Sequence, residues 1–416
     1  MSCQIPNNNL KFGAHLPEDL VKEYGSPLYV YSEAILRERC QEVMNFVTYD
    51  KFIVDYSMKA NSNPALLKII REEGLEVDVM SPGEIHIAEL AGYQPEEILY
   101  ICNNVSPEEM LYVIKKGIRV CVDSLAQLEQ YGTLAPHSSI SIRVNPGIGA
   151  GHHQKVVTAG KQTKFGINMD LVEDVKSILE TYDLKLIGIT QHIGSLFLES
   201  EDYLKSAEAL AAFAKTFPDL EFIDLGGGFG IPYKAIDKEH RLDLHKLGNA
   251  LDRLFAEFVQ KYGREVFFRI EPGRYIVAEC GTILGTVNGI KYNGDKKYIG
   301  TDVGFNVLMR PILYDAYHEV SFYRDGCFID DTTKENATVV GNICETGDIL
   351  ANDRPFPMVK AGDIIAISDA GAYGHIMSST YNGRLRTGEV LLTLAGEPKE
   401  IRKRDSFEDL VRNYVL

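Results

Sequence analysis

Long hydrophobic runs are missing from this chain of 416 residues, and none approaches the roughly 20 apolar residues that span a bilayer. The first ten residues, Met1 to Leu10, have neither a basic n-region nor an apolar h-region, so the start does not read as a signal peptide. An excess of positive charge is missing too. Asp and Glu number 59 against 43 Lys and Arg, a formal charge of −16, which argues against nucleic acid or an anionic membrane surface as partner. Paired cysteines are lacking: Cys3, Cys40, Cys102, Cys121, Cys280, Cys327 and Cys344 are scattered, odd in number and without C-x-x-C or other metal-like spacing. No metal site is expected, and a reducing cytoplasm is the compartment that fits. Low-complexity segments and internal repeats are absent as well. What remains is an ordinary globular composition, long enough for two domains or for one large barrel with an appendage.

From Phe52 a rhythm sets in. Short apolar runs stand at 52–58, 76–80, 97–101, 118–122, 140–144, 186–192, 221–225 and 267–271. Amphipathic stretches separate them, two of them opening on Pro64 and Pro107, which suit a first helical turn. Strands alternating with helices in this way predict an α/β fold of the (β/α)8 TIM-barrel type. A doubly wound sheet is the alternative, although no G-x-G-x-x-G follows the first strand. After Glu271 the runs become short, β-rich and punctuated by Gly/Asp turns, which predicts a C-terminal β-rich domain, sandwich-like or barrel-like. The expected division is 31–275 for the barrel, with 1–30 and 276–416 in the β-rich domain. Residues 1–27 read as polar and loop-like ahead of the alternating Leu28-Tyr29-Val30-Tyr31. Helical pattern returns only from Phe407 on.

In such a barrel chemistry sits at the C-terminal ends of the strands, and the last two loops commonly hold phosphate. The first run ends in Lys59. Burial lowers a lysine pKa, and a neutral amine is what attacks an aldehyde cofactor, but a strand-end lysine also snorkels to solvent. The sixth run ends in Gln191-His192-Ile193-Gly194-Ser195, a histidine able to stack on a planar ring and a hydroxyl able to meet a phosphate. A lone histidine is more often a satisfied core residue. The seventh ends in Gly226-Gly227-Gly228-Phe229-Gly230, where backbone N–H groups can approach phosphate with no Cβ in the way; a tight turn is the plainer reading. The eighth ends in Glu271-Pro272-Gly273-Arg274. A carboxylate against a pyridine nitrogen keeps it protonated and makes the ring a better electron sink, whereas Arg274 could reduce Glu271 to a structural ion pair. Together, Lys59, His192, the triglycine and Glu271 describe pyridoxal phosphate held in a barrel.

In the same order along the chain, Tyr56-Ser57-Met58-Lys59-Ala60-Asn61, His192-Ile193-Gly194-Ser195, Gly226 to Gly230, Glu271 to Arg274, Cys344-Glu345-Thr346-Gly347-Asp348 and Gly371-Ala372-Tyr373 form one set. This set resembles the barrel-fold pyridoxal-phosphate decarboxylases of basic amino acids. The resemblance runs from Leu28 to the C-terminus and takes in Arg143-Val144-Asn145-Pro146-Gly147 and Lys164-Phe165-Gly166-Ile167. It implies that Lys59 carries the cofactor, His192 stacks on its ring and Glu271 holds its nitrogen. Ser195, Gly226, Gly227, Gly228, Gly273 and Arg274 would grip the phosphate with help from Tyr373, and Asp78 and Arg143 would line the cofactor. Cys344 matches the family's proton donor, contributed by the neighbouring subunit of a homodimer with shared active sites.

Substrate choice rests on Met309-Arg310-Pro311-Ile312-Leu313-Tyr314, whose Arg-Pro-x-Leu-Tyr is similar to the branch that acts on diaminopimelate and unlike the ornithine branch. Two guanidinium groups, Arg274 and Arg310, with the Tyr314 phenol suit a distal carboxylate. Glu345 suits a distal ammonium, and Tyr373 joins the substrate side. The expected reaction is decarboxylation of meso-2,6-diaminopimelate to L-lysine. The chain departs from the family pattern at Gly341-Asn342 (Gly-Pro is common), Thr346 (Ser is common), Thr190 (often His) and Leu196-Phe197 (Gln or Gly is usual). These departures keep two rivals open: a decarboxylase of a carrier-bound or siderophore-linked amino acid, and a non-catalytic homologue acting through a partner. His152 and His153 read as loop residues, since no third metal ligand is evident.

Overall fold

Eight parallel strands close into a ring: Phe52–Ser57, Glu76–Val79, Ile98–Ile101, Arg119–Val122, Ser139–Asn145, Lys185–Thr190, Phe222–Asp224 and Phe267–Ile270. Each pairs with the next in chain order, and the last returns to the first through Phe268 opposite Phe52. They are seen in a computed structural model of the chain, which describes residues 12–147, 164–234, 239–330 and 333–415. His152 and His153 lie outside the described residues. The eight runs of the sequence pattern are these eight strands, so the TIM barrel is the fold, with ends differing by one or two residues.

Local chemistry sets the helices between them. Pro64, Pro82 and Pro107 each begin a helix, where a missing N–H costs nothing. The side chains of Ser81, Ser106 and Ser124 accept from the backbone N–H three residues on, capping the next turn. Leu244–Tyr262 lays Leu247, Leu251, Phe255 and Phe258 on its buried face, and Phe255 stacks on Phe268 with ring centroids 3.7 Å apart. A buried ionic group is built into the ring itself: Arg269 Nε donates to Asp55 Oδ2 at 2.7 Å, and the same guanidinium pairs with Glu76. These three side chains stand on the eighth, first and second strands. Removing one partner would leave a buried charge uncompensated, a cost of about 3–5 kcal/mol.

By contacts the chain falls into two units, 39–231 with 240–276, and 1–38 with 232–239 and 277–416. The second is built on a ten-stranded, mostly antiparallel sheet. Its central path runs from Cys327–Phe328 through Val320–Arg324, Ile364–Ile367, Gly281–Asn293, Leu28–Ser32 and Gly388–Leu392 to Pro398–Arg402. The far half of Gly281–Asn293 turns away to pair with Lys296–Thr301, which continues to Glu335–Val340 and Ile349–Phe356. Leu28, Val30, Leu284, Ile364, Ala366, Val390 and Leu392 form its core with Leu20 and Phe12.

Three features differ from the sequence expectation. Residues 17–24 are not loop but a helix, Pro17–Tyr24, whose Leu20 is buried; short and half charged, it has too few apolar positions for its period to show. A second unexpected helix, Arg310–Tyr314, lies among the strands of the later half. The segment 232–239 joins the β-rich unit by its contacts, although it lies inside the stretch expected to be all barrel. Among the described residues no helix is long and apolar enough to cross a membrane.

Candidate active site

Lys59 sits in a single 3-10 turn, Met58–Ala60, directly after the first barrel strand, and is half-buried between buried Met58 and Ala60. Asp78 lies on the second strand, 1% exposed, with the Ser57 hydroxyl bonded to its Oδ2. Burial raises the Asp78 carboxyl, while Lys59 and then the Ser57 hydroxyl pull it back. Arg143, near the end of the fifth strand, is buried with its guanidinium 4.7 Å from the Phe165 ring, and its Nη2 has no hydrogen-bond partner among the described residues.

The sixth, seventh and eighth strand ends interlock. The Gly227 N–H donates to His192 Nδ1 at 3.2 Å. That nitrogen is therefore an acceptor, and a neutral imidazole must carry its proton on Nε2. Burial first, then the Lys59 and Arg143 charges, push His192 well below the usual imidazole range. His192 Nδ1 also lies 3.9 Å from Glu271 Oε2, but with Nδ1 already accepting and the ring neutral, this approach is not an ion pair. Arg274 does not depend on Glu271 either: its Nη2 donates to Ser195 Oγ at 3.0 Å.

Only glycine fits the turn after the seventh strand. Gly226 has φ +74°, and a Cβ there would stand 2.1 Å from the Gln191 carbonyl oxygen. Gly228 has φ +107°, and its Cβ would meet the Gly194 oxygen at 2.3 Å. The two loops are stitched together, with Leu196 and Phe197 N–H both donating to Gly228 O at 2.9 and 3.1 Å. The unusual Phe197 is thereby explained. It stacks on Tyr203 at 4.9 Å and packs on Phe229 at 5.3 Å, while the Tyr203 hydroxyl donates to Gly226 O. Phe197 holds the loops from behind, as a packing residue.

One acid was missed by the sequence reading. Asp224, on the seventh strand, is fully buried, and its Oδ1 accepts from the Gly226 N–H at 2.8 Å. Burial, with Asp55 next, pushes its carboxyl up to about 7. Glu271 is held well above the usual carboxylate range by burial, then by Asp224 and Asp78. Glu271 Oε1 and Asp224 Oδ2 are buried with no ordinary donor among the described residues, and the two side chains pair with each other, which requires a proton held between them. A buried acid beside a glycine cradle fits a protonated ring nitrogen carrying a phosphate arm.

The remaining candidates lie on the β-rich unit. Arg310 and Tyr314 bound one short helix, with Arg310 only 2% exposed. Cys344 and Glu345 are exposed on a loop that Asp348 braces from within, accepting from the Ile343 and Phe305 N–H groups at 2.8 and 2.7 Å. The Cys344 N–H donates to Asn382 Oδ1 at 2.7 Å, so Cys344 is not the buried apolar residue that cysteine more often becomes. Tyr373 is half-buried with a left-handed backbone, φ +55°. Among the described residues no three His, Cys, Asp or Glu side chains are grouped as a metal would need.

A closed parallel barrel with an amine after its first strand and a glycine cradle and acid after its last two defines a barrel-fold pyridoxal-phosphate enzyme. Residues 33–278 match the family model described as pyridoxal-dependent decarboxylase, pyridoxal binding domain, and the chain belongs to that family. It is 40% identical over 403 residues to a diaminopimelate decarboxylase of Methanothermobacter thermautotrophicus, covering 95% of this chain and 92% of that one. A diaminopimelate decarboxylase of Escherichia coli is 34% identical, with 95% and 96% covered. Among solved structures, diaminopimelate decarboxylase from Helicobacter pylori complexed with L-lysine superposes with a TM-score of 0.87 at 30% identity, covering 95% of this chain and 98% of that one. A lysine/ornithine decarboxylase from Vibrio vulnificus shares the fold at TM-score 0.78 but only 17% identity, covering 91% of this chain and 97% of that one.

Proposed function

We infer that this chain catalyses the pyridoxal-phosphate-dependent decarboxylation of meso-2,6-diaminopimelate to L-lysine and CO2, the last step of lysine biosynthesis. The observation that carries this reading is the extent of the similarity: relatives named diaminopimelate decarboxylase match along 95% of this chain at up to 40% identity. When bound, the cofactor supplies the electron sink for the bond to the departing carboxylate.

The chain's own residues supply the rest. Lys59 would provide the amine that holds the cofactor. Glu271 would hold the ring nitrogen, and neutral His192, fixed by the Gly227 N–H, would stack on the ring. Ser195, Gly226, Gly227, Gly228, Gly273, Arg274 and Tyr373 take the phosphate, while Asp78 and Arg143 line the ring. Cys344 returns a proton to Cα. It does so in the neighbouring subunit of a homodimer with shared active sites, a task that suits a thiol exposed on its own chain. Arg274, Arg310 and Tyr314 receive the distal carboxylate, Glu345 receives the distal ammonium, and Tyr373 completes the substrate contacts. The enzyme works in the cytoplasm on a free amino acid, with neither nucleic acid nor membrane as partner.

The test is CO2 release from a panel of meso-diaminopimelate, lysine, ornithine and carrier-linked amino acids. Diaminopimelate should be turned over far faster than the others. Faster release from a carrier-linked substrate would overturn the assignment.

A further inference from the structure

Arg310 does not stand alone in the β-rich unit. Its Nη1 lies 2.7 Å from His318 Nε2, and His318 Nδ1 lies 2.8 Å from the Ser368 carbonyl oxygen. Both side chains are buried, at 2% and 1% exposure. A guanidinium only donates and a carbonyl only accepts. His318 Nε2 must therefore be the acceptor, and Nδ1 must carry the proton. A single tautomer of a neutral imidazole satisfies both contacts. The face of the Arg310 guanidinium lies 4.5 Å from the Tyr233 ring centroid, and Tyr233 meets His318 edge-on at 5.4 Å. One neighbour fixes the edge of the guanidinium and the other its plane. The polypeptide between Arg310 and His318 supports this: Asp315 closes the short helix with φ +51°, and the chain doubles back so that residues eight apart touch.

We propose that His318 is a positioning residue for substrate selection, holding Arg310 in the one orientation in which its fork meets the distal carboxylate. This rests on the reading of Arg310 as the receptor for that carboxylate. Planar recognition of a carboxylate by arginine depends on the angle of the fork as well as its charge. A side chain that supplies a fixed acceptor on one side and a carbonyl anchor on the other is what sets that angle. Because the distal carboxylate does not react, its contact is as strong before the chemistry as during it. Its loss therefore raises KM and leaves kcat in place.

The experiment is a kinetic comparison of holoenzyme variants with meso-diaminopimelate. In His318→Gln the amide oxygen falls near the place of Nε2 and can accept from Arg310, whereas in His318→Asn the shorter side chain cannot reach it. The Asn variant should show KM raised about ten- to a hundredfold, the loss expected for one charge-assisted hydrogen bond, with kcat within about threefold of wild type. The Gln variant should recover most of the difference. In the double variant His318→Asn, Arg310→Ala, KM should equal that of Arg310→Ala alone, because His318 acts only through Arg310. If His318→Asn does not fold, the pair His318→Gln and His318→Gln, Arg310→Ala carries the test, and a Gln variant with strongly raised KM overturns the proposal. Equal KM for the Asn and Gln variants, or additive effects in the double variant, also overturns it. If Arg310→Ala itself leaves KM unchanged, the reading of Arg310 is what has failed.

Discussion

The backbone N–H of Glu271 donates to the carbonyl of Gly226 at 3.1 Å, while the Gly226 N–H donates to Asp224 Oδ1 at 2.8 Å. The acid proposed for the ring nitrogen and the glycine turn proposed for the phosphate are thus parts of one framework. Any shift of the glycine turn is passed to Glu271. The same framework sets a second buried carboxyl, Asp224, beside it.

That pair gives a pH signature. Asp224 is raised by burial from the ordinary carboxylate value to about 7, and Glu271 is raised as well. A raised acid keeps its proton in the folded protein after the unfolded chain has lost it. Stability from this source is therefore full below the unfolded value and declines as pH rises towards 7. Asp224→Asn keeps the bond to the Gly226 N–H and removes the titration. In urea unfolding of the cofactor-free protein, the variant should gain on wild type between about pH 4 and about pH 7 and hold that gain above it, because only wild type carries the penalty. A constant difference across that range would mean that Asp224 does not titrate there.

Lys59 is testable without any assay of turnover. The protein loaded with pyridoxal phosphate should be yellow, borohydride should abolish the colour, and peptide mapping should place the fixed cofactor on Lys59. Lys59→Ala should bind pyridoxal phosphate without being labelled. Label on a different lysine would remove Lys59 from its assigned role.

Cys344 is exposed on its own chain, and its proposed work lies in a partner. Lys59→Ala and Cys344→Ala homodimers should each be nearly inactive. Mixed and allowed to exchange, they form hybrids with one site in which both residues are intact. With equal random exchange, half the dimers are hybrids with one good site of two, so roughly a quarter of wild-type activity should return. Verified exchange with no recovery would place both residues in the same subunit's site.

Arg310 is proposed to govern the choice of substrate. Arg310→Ala should lower kcat/KM for diaminopimelate by about 30- to 1000-fold, the range for one charge-assisted contact. The spectrum of bound cofactor should not change. Wild type should reject lysine and ornithine, which leave the buried guanidinium without its anion. Efficient turnover of lysine by wild type would contradict the distal-carboxylate reading.

Much of the barrel could be read from the sequence because its strands are apolar runs separated by amphipathic helices. Pattern and hydrogen bonding coincide at Pro107, which the pattern places in a first helical turn and which follows the capping Ser106 in the fold. The glycine cradle was legible for the same reason, since Gly226 and Gly228 occupy backbone that other residues strain to adopt. Asp224 was not legible as a site residue. It sits inside an apolar strand, and only tertiary structure shows that its side chain turns back to Gly226 and lies near Glu271. The Pro17–Tyr24 helix was hidden because eight residues with two buried positions do not establish a period. His318 lies four residues beyond the Arg-Pro-x-Leu-Tyr stretch, and nothing in the sequence marks it as a partner of Arg310. Its meaning depends on a carbonyl 50 residues further on, at Ser368.

The strand Leu28–Ser32 lies between Gly281–Asn293 on one side and Gly388–Leu392 on the other. In sequence it precedes the whole barrel, and both of its hydrogen-bonding neighbours follow the barrel. While the chain emerges from the ribosome, this all-apolar-faced strand must wait for residues far downstream, with the whole of the barrel synthesised in between. The β-rich unit is therefore the slow, high-contact-order part of folding, and its nascent N-terminal strand is the segment most exposed to mispairing. A chain released before Gly388 leaves one edge of that strand without its partner. Premature termination near the C-terminus should consequently be felt at the N-terminus, as insolubility, before any residue of the barrel is touched.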